Sequence, residues 1–324
     1  MKIITSKEIS NKIQMVELIN VASEAYLKLY NGGVSMPVRT VTDFGDDGPL
    51  VFYKPTYDIA NSQVVIKLLN QLKHTSDFGY PTIQGIVILI DAMKNEISAI
   101  MDGRQLTALR TGAASGLAAK LLSREDSKVL AVFGAGAQAY TQINGILSVR
   151  AIKKIIIYDI SDVAIEKLID YFSFLKDITF VKGASLVELS EADIICTVTN
   201  STKPLFDVKY LKQGVHVNAF GSFSPGMREL PNEIFINASL YVDHKESCFS
   251  ESGDIIEPFS KHIINDNNYK GEIGELINSN IKGRSNTLQR TIFKSVGIAT
   301  QDLTIAQYIY NKSIKEQFGI NIQM

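Results

Sequence analysis

The run Val129–Asp159, VLAVFGAGAQAYTQINGILSVRAIKKIIIYD, constrains the fold of this chain more than any other segment. The apolar stretch Val129 to Phe133 has the length and character of a buried parallel strand. Gly134, Gly136 and Ala139 then give G-x-G-x-x-A, followed by a helix-compatible segment and a second apolar stretch, Ile155 to Tyr158, which ends on Asp159. That order is a complete βαβ unit. Its first glycine permits the tight turn, its second lets the backbone approach a pyrophosphate, and the small third residue lets helix pack on strand. The helix N-terminus offers free N–H donors and the positive end of a dipole. Asp159 stands about 20 residues beyond Ala139, where a carboxylate accepts from a ribose 2′-OH. The same acid repels a 2′-phosphate, so the expected cofactor is NAD, with NADP disfavoured.

The alternation of strand and helix patterns continues from Lys128 to about Phe220. Candidate strands are Val129–Phe133, Ile155–Tyr158, Ile178–Val181, Asp193–Val198 and His216–Phe220, with Leu240–Asp243 as a sixth. This predicts a Rossmann-type, doubly wound parallel sheet, hence an α/β fold. The first part of the chain reads differently, as α+β. Residues 13–30 carry a helical apolar pattern (Ile13, Val16, Ile19, Ala22, Tyr26, Leu29) stopped by Asn31-Gly32-Gly33. Strand-like pieces follow, including Val64–Leu69 and Ile83–Ile90, with turns at Gly45–Pro49 and Tyr80-Pro81. Thr107–Leu122 is a helix rich in small residues that feeds the Rossmann strand, and Ser295–Phe318 is expected to be an amphipathic helix returning to the first domain. The predicted domains are 1–117 completed by 295–324, and 118–294.

A length of 324 residues suits about two domains. The net charge of −1 gives no electrostatic case for nucleic acid or an anionic membrane. No apolar run reaches the roughly 18–20 residues of a membrane span, and the start, MKIITSKEISNK, has no h-region. Two isolated cysteines, Cys196 and Cys248, offer no disulfide framework, and Cys196 in an apolar run reads as a small hydrophobe. A cytoplasmic location is expected. The histidines His74, His216, His244 and His262 are scattered, and none pairs with Cys, Asp or Glu at metal-ligand spacing, so no metal is expected. His74 is a candidate pocket residue, His216 a structural one. The acidic turn Glu251–Asp254 reads as a helix cap or solvated loop.

Further landmarks lie outside the βαβ unit. They are Met36-Pro37-Val38-Arg39-Thr40, Lys67, MDGRQLTALRTGAASGLAAK (Met101–Lys120), GAGAQA (Gly134–Ala139), HVNAFGSFSPGMREL (His216–Leu230), YVD (Tyr241–Asp243), ESGD (Glu251–Asp254), Gly274-Glu275 and FKSVGIATQD (Phe293–Asp302). In this order and spacing the chain resembles the ornithine cyclodeaminase/mu-crystallin family along nearly its whole length. The resemblance implies a homodimer whose N-terminal domain, with the C-terminal helix, binds substrate and forms the dimer, while a Rossmann domain holds NAD(P). It implies hydride transfer at an amino acid Cα–N bond, as in ornithine cyclodeamination, alanine dehydrogenation or the reduction of cyclic ketimines.

By the same resemblance Arg39, Lys67 and Arg110 clamp the substrate carboxylate, with Lys67 and Arg110 as the catalytic pair. The residues give separate support: Lys67 interrupts VVIKLL and Arg110 interrupts TALRTGAA, and long cations seldom sit in such runs unless paired. The competing reading is a buried stem with an exposed head. The resemblance assigns cofactor contacts to Thr82, Arg110, Ala137, Gln138, Asp159, Thr199, the backbone of Val217, Asn218, Ala219 and Phe220, and Ser295 and Val296. One departure matters. Cyclodeaminases and archaeal-type alanine dehydrogenases of the family carry an aspartate where this chain has Phe223, and phenylalanine cannot move a proton. Cyclodeaminases also place an acid near Phe52. Both aromatic residues make the site more apolar than a diamino acid would require. A ketimine can arrive protonated at nitrogen, so its reduction asks less of a protein acid. Asp43, Asp46, Asp47 or Asp58 could compensate. The expectation is an NAD-dependent oxidoreductase that reduces a ketimine, with L-alanine dehydrogenase, ornithine cyclodeaminase and a non-catalytic nucleotide-binding protein as alternatives.

Overall fold

A computed structural model describes residues 1–37, 39–46, 48–72 and 83–323. The chain forms two compact units, Met1–Arg110 with Ile298–Met324, and Thr111–Gly297. Thr82, His74 and Asp47 lie outside the described residues.

The first unit is built on an antiparallel meander. Strands Leu50–Asp58, Gln63–Gln71, Ile83–Asp91 and Glu96–Asp102 pair in sequence, and Lys2–Ile4 joins parallel to Glu96–Asp102. Side chains alternate across each strand. Val65, Lys67, Val87, Leu89, Ala99 and Met101 are therefore buried on one face, while Ile66, Leu68, Ile88 and Ile100 are only partly covered on the other. Against the buried face lies helix Ala299–Lys315, itself packed on helix Met15–Tyr30. The latter buries Leu18, Ile19, Ala22, Ala25 and Tyr26, one stripe at helical spacing, and stops at Asn31-Gly32, where Gly32 adopts a φ of 68°.

The second unit carries a parallel eight-stranded sheet. Its order is Thr179–Lys182, Lys154–Tyr158, Val129–Phe133, Ile194–Thr197, His216–Ala219, Arg290–Lys294, Ala238–Val242, Tyr269–Glu272. The order reverses between Val129–Phe133 and Ile194–Thr197, the switch point at which doubly wound sheets bind ligands. All six expected strands are present. Two others were not anticipated. Tyr269–Glu272 (YKGE) is short, polar and at the edge. Arg290–Lys294 is central but flanked by two cations that mask its apolar middle. The lysine is fully buried and pairs with Asp254 at 3.2 Å.

That pairing removes the solvated-loop alternative for Glu251–Asp254, and the helix-cap alternative holds, since Ser252 is the N-cap of helix Gly253–Ser260. Asp254 is buried in helix Gly253–Ser260 and accepts the backbone N–H groups of Glu229 and Leu230 at 2.7 and 2.8 Å. A second boundary also moves. The helix expected from Ser295 begins at Ala299. Ser295 Oγ and the N–H groups of Val296 and Gly297 all donate to Asp243 Oδ2 at 2.7–3.0 Å, and Gly297 has a φ of 80°, so this stretch is a loop pinned by a buried carboxylate. Among the described residues no helix is long and apolar enough to cross a membrane.

Candidate active site

In the first unit four cations are set against one acid, Asp302. The β-register places Lys54 directly opposite Lys67, so both side chains leave the same buried face. The first turn of helix Ala299–Lys315 delivers Asp302, where the helix dipole favours a carboxylate. Lys67 Nζ lies 2.6 Å from Asp302 Oδ2, and Arg110 Nε lies 3.5 Å from Oδ1. Arg110 also donates to Gln301 Oε1 at 3.2 Å, and Gln301 donates in turn to the Tyr26 hydroxyl at 2.6 Å. Lys67 is 1% exposed and Arg110 7%, so neither is a snorkelling stem. Arg39 stands over the Phe52 ring, 5.9 Å from its centroid, and its field reaches both lysines.

Burial controls the protonation of this cluster. It pulls Lys67 down to about 8, against the field of Asp302, with Arg110 adding repulsion. Burial also pulls Lys54 well below the ordinary lysine range, and the charge of Lys67 adds to the effect. On Asp302 burial acts upward, but the fields of Lys67, Arg110 and Lys54 prevail and hold its carboxyl below the usual value. Such a cluster offers desolvated cations, the Arg110 guanidinium and the Lys67 ammonium, whose mutual repulsion would fall if an anion arrived.

Asp58, one of the acids considered as a compensating group, is engaged elsewhere. It accepts from Lys28 at 2.6 Å and from Asn61 and Gln307 at 2.8 Å. Asp43 accepts from the Gly45 N–H at a strand end. Sequence reasoning missed Asp302, Gln301 and Lys54. Asp302 had a signal, an acid in the first turn of an otherwise buried helix. Lys54 had one too, since it shares strand parity with Phe52, Thr56 and Asp58.

The second unit holds the glycine turn. Gly134 has a φ of 101°, and a Cβ there would meet the Val198 carbonyl at 2.8 Å, so the position requires glycine. Gly136 caps helix Ala137–Leu147, and a Cβ there would point into open space. Asp159 closes the adjacent strand and accepts from the Ala135 N–H at 2.6 Å. In the first helical turn Gln138 Oε1 is buried without a hydrogen-bond partner among the described residues. An open cradle over a helix N-terminus, an acid at the next strand end and an orphaned amide oxygen fit a dinucleotide.

Apart from Arg110 in the first unit and Thr82 outside the described residues, the other predicted cofactor residues belong to strands of the same sheet or to the segments that follow them. Thr199 N and Oγ1 donate to Glu229 Oε1 at 2.6 and 2.8 Å, and Glu229 Oε2 accepts from Thr197 Oγ1 and Gly221 N. Glu229, also missed from sequence, thereby ties two strand-end loops together. Asn218 Nδ2 donates to Ser115 Oγ at 2.8 Å and its Oδ1 accepts from His216 Nε2 at 2.9 Å, while its backbone lies in a central strand paired on both sides. Val217 and Ala219 point into the core and Phe220 stacks edge-on against Phe293. His216 is buried and pushed down to about 3, chiefly by desolvation, which makes it a neutral structural group. Phe223 packs on the hydrophobic core of this unit, and Cys196 is fully buried, its thiol pushed up to about 12 by desolvation. Among the described residues no group of three or more His, Cys, Asp or Glu side chains is placed to hold a metal.

The model of the ornithine cyclodeaminase/mu-crystallin family matches residues 1–317. A Delta(1)-pyrroline-2-carboxylate reductase of Bacillus thuringiensis subsp. konkukian is 33% identical over the whole of both chains. The Thermococcus litoralis Delta(1)-pyrroline-2-carboxylate reductase in complex with NADH and L-proline superimposes with a TM-score of 0.94 at 32% identity, covering 99% of this chain and 100% of that one. An archaeal alanine dehydrogenase dimer with bound NAD gives 0.91 at 31% identity, covering 100% and 99%.

Proposed function

Because the chain belongs to the ornithine cyclodeaminase/mu-crystallin family, we propose that it is an NAD(H)-dependent oxidoreductase that reduces a ketimine, a small imino acid with C=N beside an α-carboxylate, to the amino acid. The buried cluster of Arg39, Lys67 and Arg110 around Asp302 carries this reading, since it is built to receive a carboxylate.

Arg110 and Lys67 bind the substrate carboxylate and hold it in a fixed orientation, with Arg39 as the third cation. Asp302 keeps Lys67 charged against desolvation, and Gln301 with Tyr26 fixes the Arg110 guanidinium. The apolar ring of Phe52 excludes water beside Arg39. The Gly134–Gly136 turn and the N-terminus of helix Ala137–Leu147 hold the dinucleotide pyrophosphate. Asp159 accepts from the adenosine ribose and favours NAD over NADP. The nicotinamide supplies the hydride. A ketimine protonated in solution places little demand on a protein acid, which agrees with Phe223 at the loop position. The functional unit is a homodimer.

The test is nicotinamide oxidation by purified protein with pyrroline-2-carboxylate, piperideine-2-carboxylate, and pyruvate plus ammonia, each with NADH and NADPH. Cyclic imines are expected to turn over with NADH, and Arg110→Ala to lower kcat/KM by about 100-fold or more, the effect of leaving buried charges unpaired. Turnover confined to pyruvate and ammonia would make the protein an alanine dehydrogenase. Ammonia release from ornithine without net oxidation would make it a cyclodeaminase. NADH binding without any turnover would leave a nucleotide-binding protein.

A further inference from the structure

We propose that Glu229 is a positioning residue: its buried carboxylate ties together the segments that follow strands Ile194–Thr197 and His216–Ala219, and so sets the surface on which the nicotinamide half of the dinucleotide rests. The proposal rests on the dinucleotide reading of the second unit. Strand order decides which half of the cofactor is concerned. Asp159 follows the strand on one side of Val129–Phe133, and the glycine turn follows Val129–Phe133 itself. Strands Ile194–Thr197 and His216–Ala219 lie on the other side. A dinucleotide binds across such a switch point with its pyrophosphate at the glycine turn. With the adenosine ribose on Asp159, its other half runs over the carboxyl ends of those two strands.

Glu229 is fully buried, and four donors converge on it. Thr199 N and Oγ1 reach Oε1 at 2.6 and 2.8 Å, while Thr197 Oγ1 and Gly221 N reach Oε2 at 2.6 and 2.8 Å. Each oxygen therefore takes one backbone N–H, Thr199 from the first segment and Gly221 from the second. The packing is as close as the bonding. A Cβ on Gly221 would meet Glu229 Oε1 at 2.2 Å and the Thr199 carbonyl at 2.4 Å. The held segment also touches the phosphate cradle, since a Cβ on Gly134 would meet the Val198 carbonyl at 2.8 Å and Thr199 Cγ2 at 3.3 Å. Glu229 is anchored in turn: its N–H donates to Asp254 Oδ1 at 2.7 Å, Asp254 pairs with Lys294, and its carbonyl accepts from Leu205 N at 2.8 Å. A single isosteric change loosens this clamp. In Glu229→Gln the amide NH2 must face either the Thr199 N–H or the Gly221 N–H, and two donors cannot bond one another. One of the two segments is then released, while the strands beneath keep their pairing. A clamp that served stability alone would affect every nucleotide equally. A positioning role distinguishes nucleotides with a nicotinamide from those without.

The experiment titrates the full-length wild type and Glu229→Gln with NADH and with ADP-ribose, which lacks the nicotinamide, by calorimetry, and records the thermal midpoint of each protein. In Glu229→Gln the affinity for NADH is expected to fall about 10-fold or more, while that for ADP-ribose changes by less than about 2-fold. Equal losses for the two nucleotides, or a lower thermal midpoint with both affinities intact, would overturn the proposal and leave Glu229 a structural clamp. Thr197 is fully buried within its strand, so Thr197→Val removes one donor from Glu229 at a position that no nucleotide touches. It decides the matter if Glu229→Gln fails to fold. A loss of about 3-fold or more for NADH alone, restored in Thr197→Ser, which keeps the hydroxyl, supports the proposal. The same affinity ratio in valine, serine and wild-type proteins removes it. A wild type that binds neither nucleotide overturns the dinucleotide reading and the proposal together. A wild type that binds both, with variants that do not discriminate between them, overturns the proposal alone.

Discussion

Lys67 shows how one buried side chain couples binding to pH. Burial holds it at about 8, so it is a cation below that pH and neutral above. Pyrrole-2-carboxylate, a planar acid that does not titrate near pH 8, should therefore bind less tightly as pH rises through about 8. The midpoint moves upward in the complex because the bound anion favours the charged form. Titration calorimetry across that range checks this, and Lys67→Arg, which stays charged, should flatten the profile. A flat wild-type profile would mean that Lys67 does not carry the carboxylate. Stability runs the other way. The folded value lies below that of the unfolded chain, so between about 8 and the ordinary lysine value the unfolded state binds more protons, and stability from this residue rises with pH. Lys67 and Arg110 were legible in the sequence because each breaks an otherwise apolar or small-residue run. Asp302 carried only the signal of an acid in a first helical turn, because nothing local says that this turn meets a strand more than two hundred residues earlier. Lys54 becomes a neighbour of Lys67 only through the register of two strands.

Among elements, the contact of helices Gly103–Leu122 and Ala137–Leu147 is set by glycine. A Cβ on Gly145 would meet the Gly112 carbonyl at 2.1 Å, and one on Gly112 would meet the Thr141 carbonyl at 2.3 Å. Both obstacles are backbone, which cannot swing aside. Gly145→Ala should cost roughly 1–3 kcal/mol or more, the range for overpacking, read as a lower thermal midpoint. Gly136→Ala is the contrasting case. Its φ of −79° suits any residue and its Cβ meets nothing. The thermal midpoint of the apo protein should hold, while affinity for NADH falls because the methyl occupies the phosphate approach. Equal destabilisation by both variants would contradict this division of roles. The small-residue character of Thr107–Leu122 was visible in the sequence as a sign of close packing, and the G-x-G-x-x-A spacing named the other partner. The strands that escaped notice, Tyr269–Glu272 and Arg290–Lys294, lack a clean apolar run. Lys294 stays buried only because Asp254 neutralises it, a pairing between distant segments that local pattern cannot reveal.

For the whole molecule, the first unit poses a question that a single copy of the chain leaves open. On the sheet face opposite Lys67, the neighbouring residues Ile66, Leu68, Ile86, Ile88 and Ile100 remain partly or largely accessible, with Ile86 at 37%. Contiguous apolar surface across three central strands is costly in water and marks an association site. A second copy, applied through a two-fold axis, would cover it with a self-complementary patch. Sedimentation equilibrium should then give a mass twice that of the 35.8 kDa chain, and Ile88→Glu should give a monomer with unchanged far-ultraviolet dichroism. The charge of Ile88→Glu falls on the face away from Lys67, so loss of dimer and loss of site chemistry can be separated by titrating the variant with pyrrole-2-carboxylate. A wild type that sediments as a monomer would leave this face without a partner and remove the dimer from the proposed function. The alternation that buries Lys67 on one side of the strand is the same alternation that exposes Ile66 and Leu68 on the other. Period-two patterning thus accounts for both the site and the surface, although the sequence shows it only as a continuous apolar run, VVIKLL.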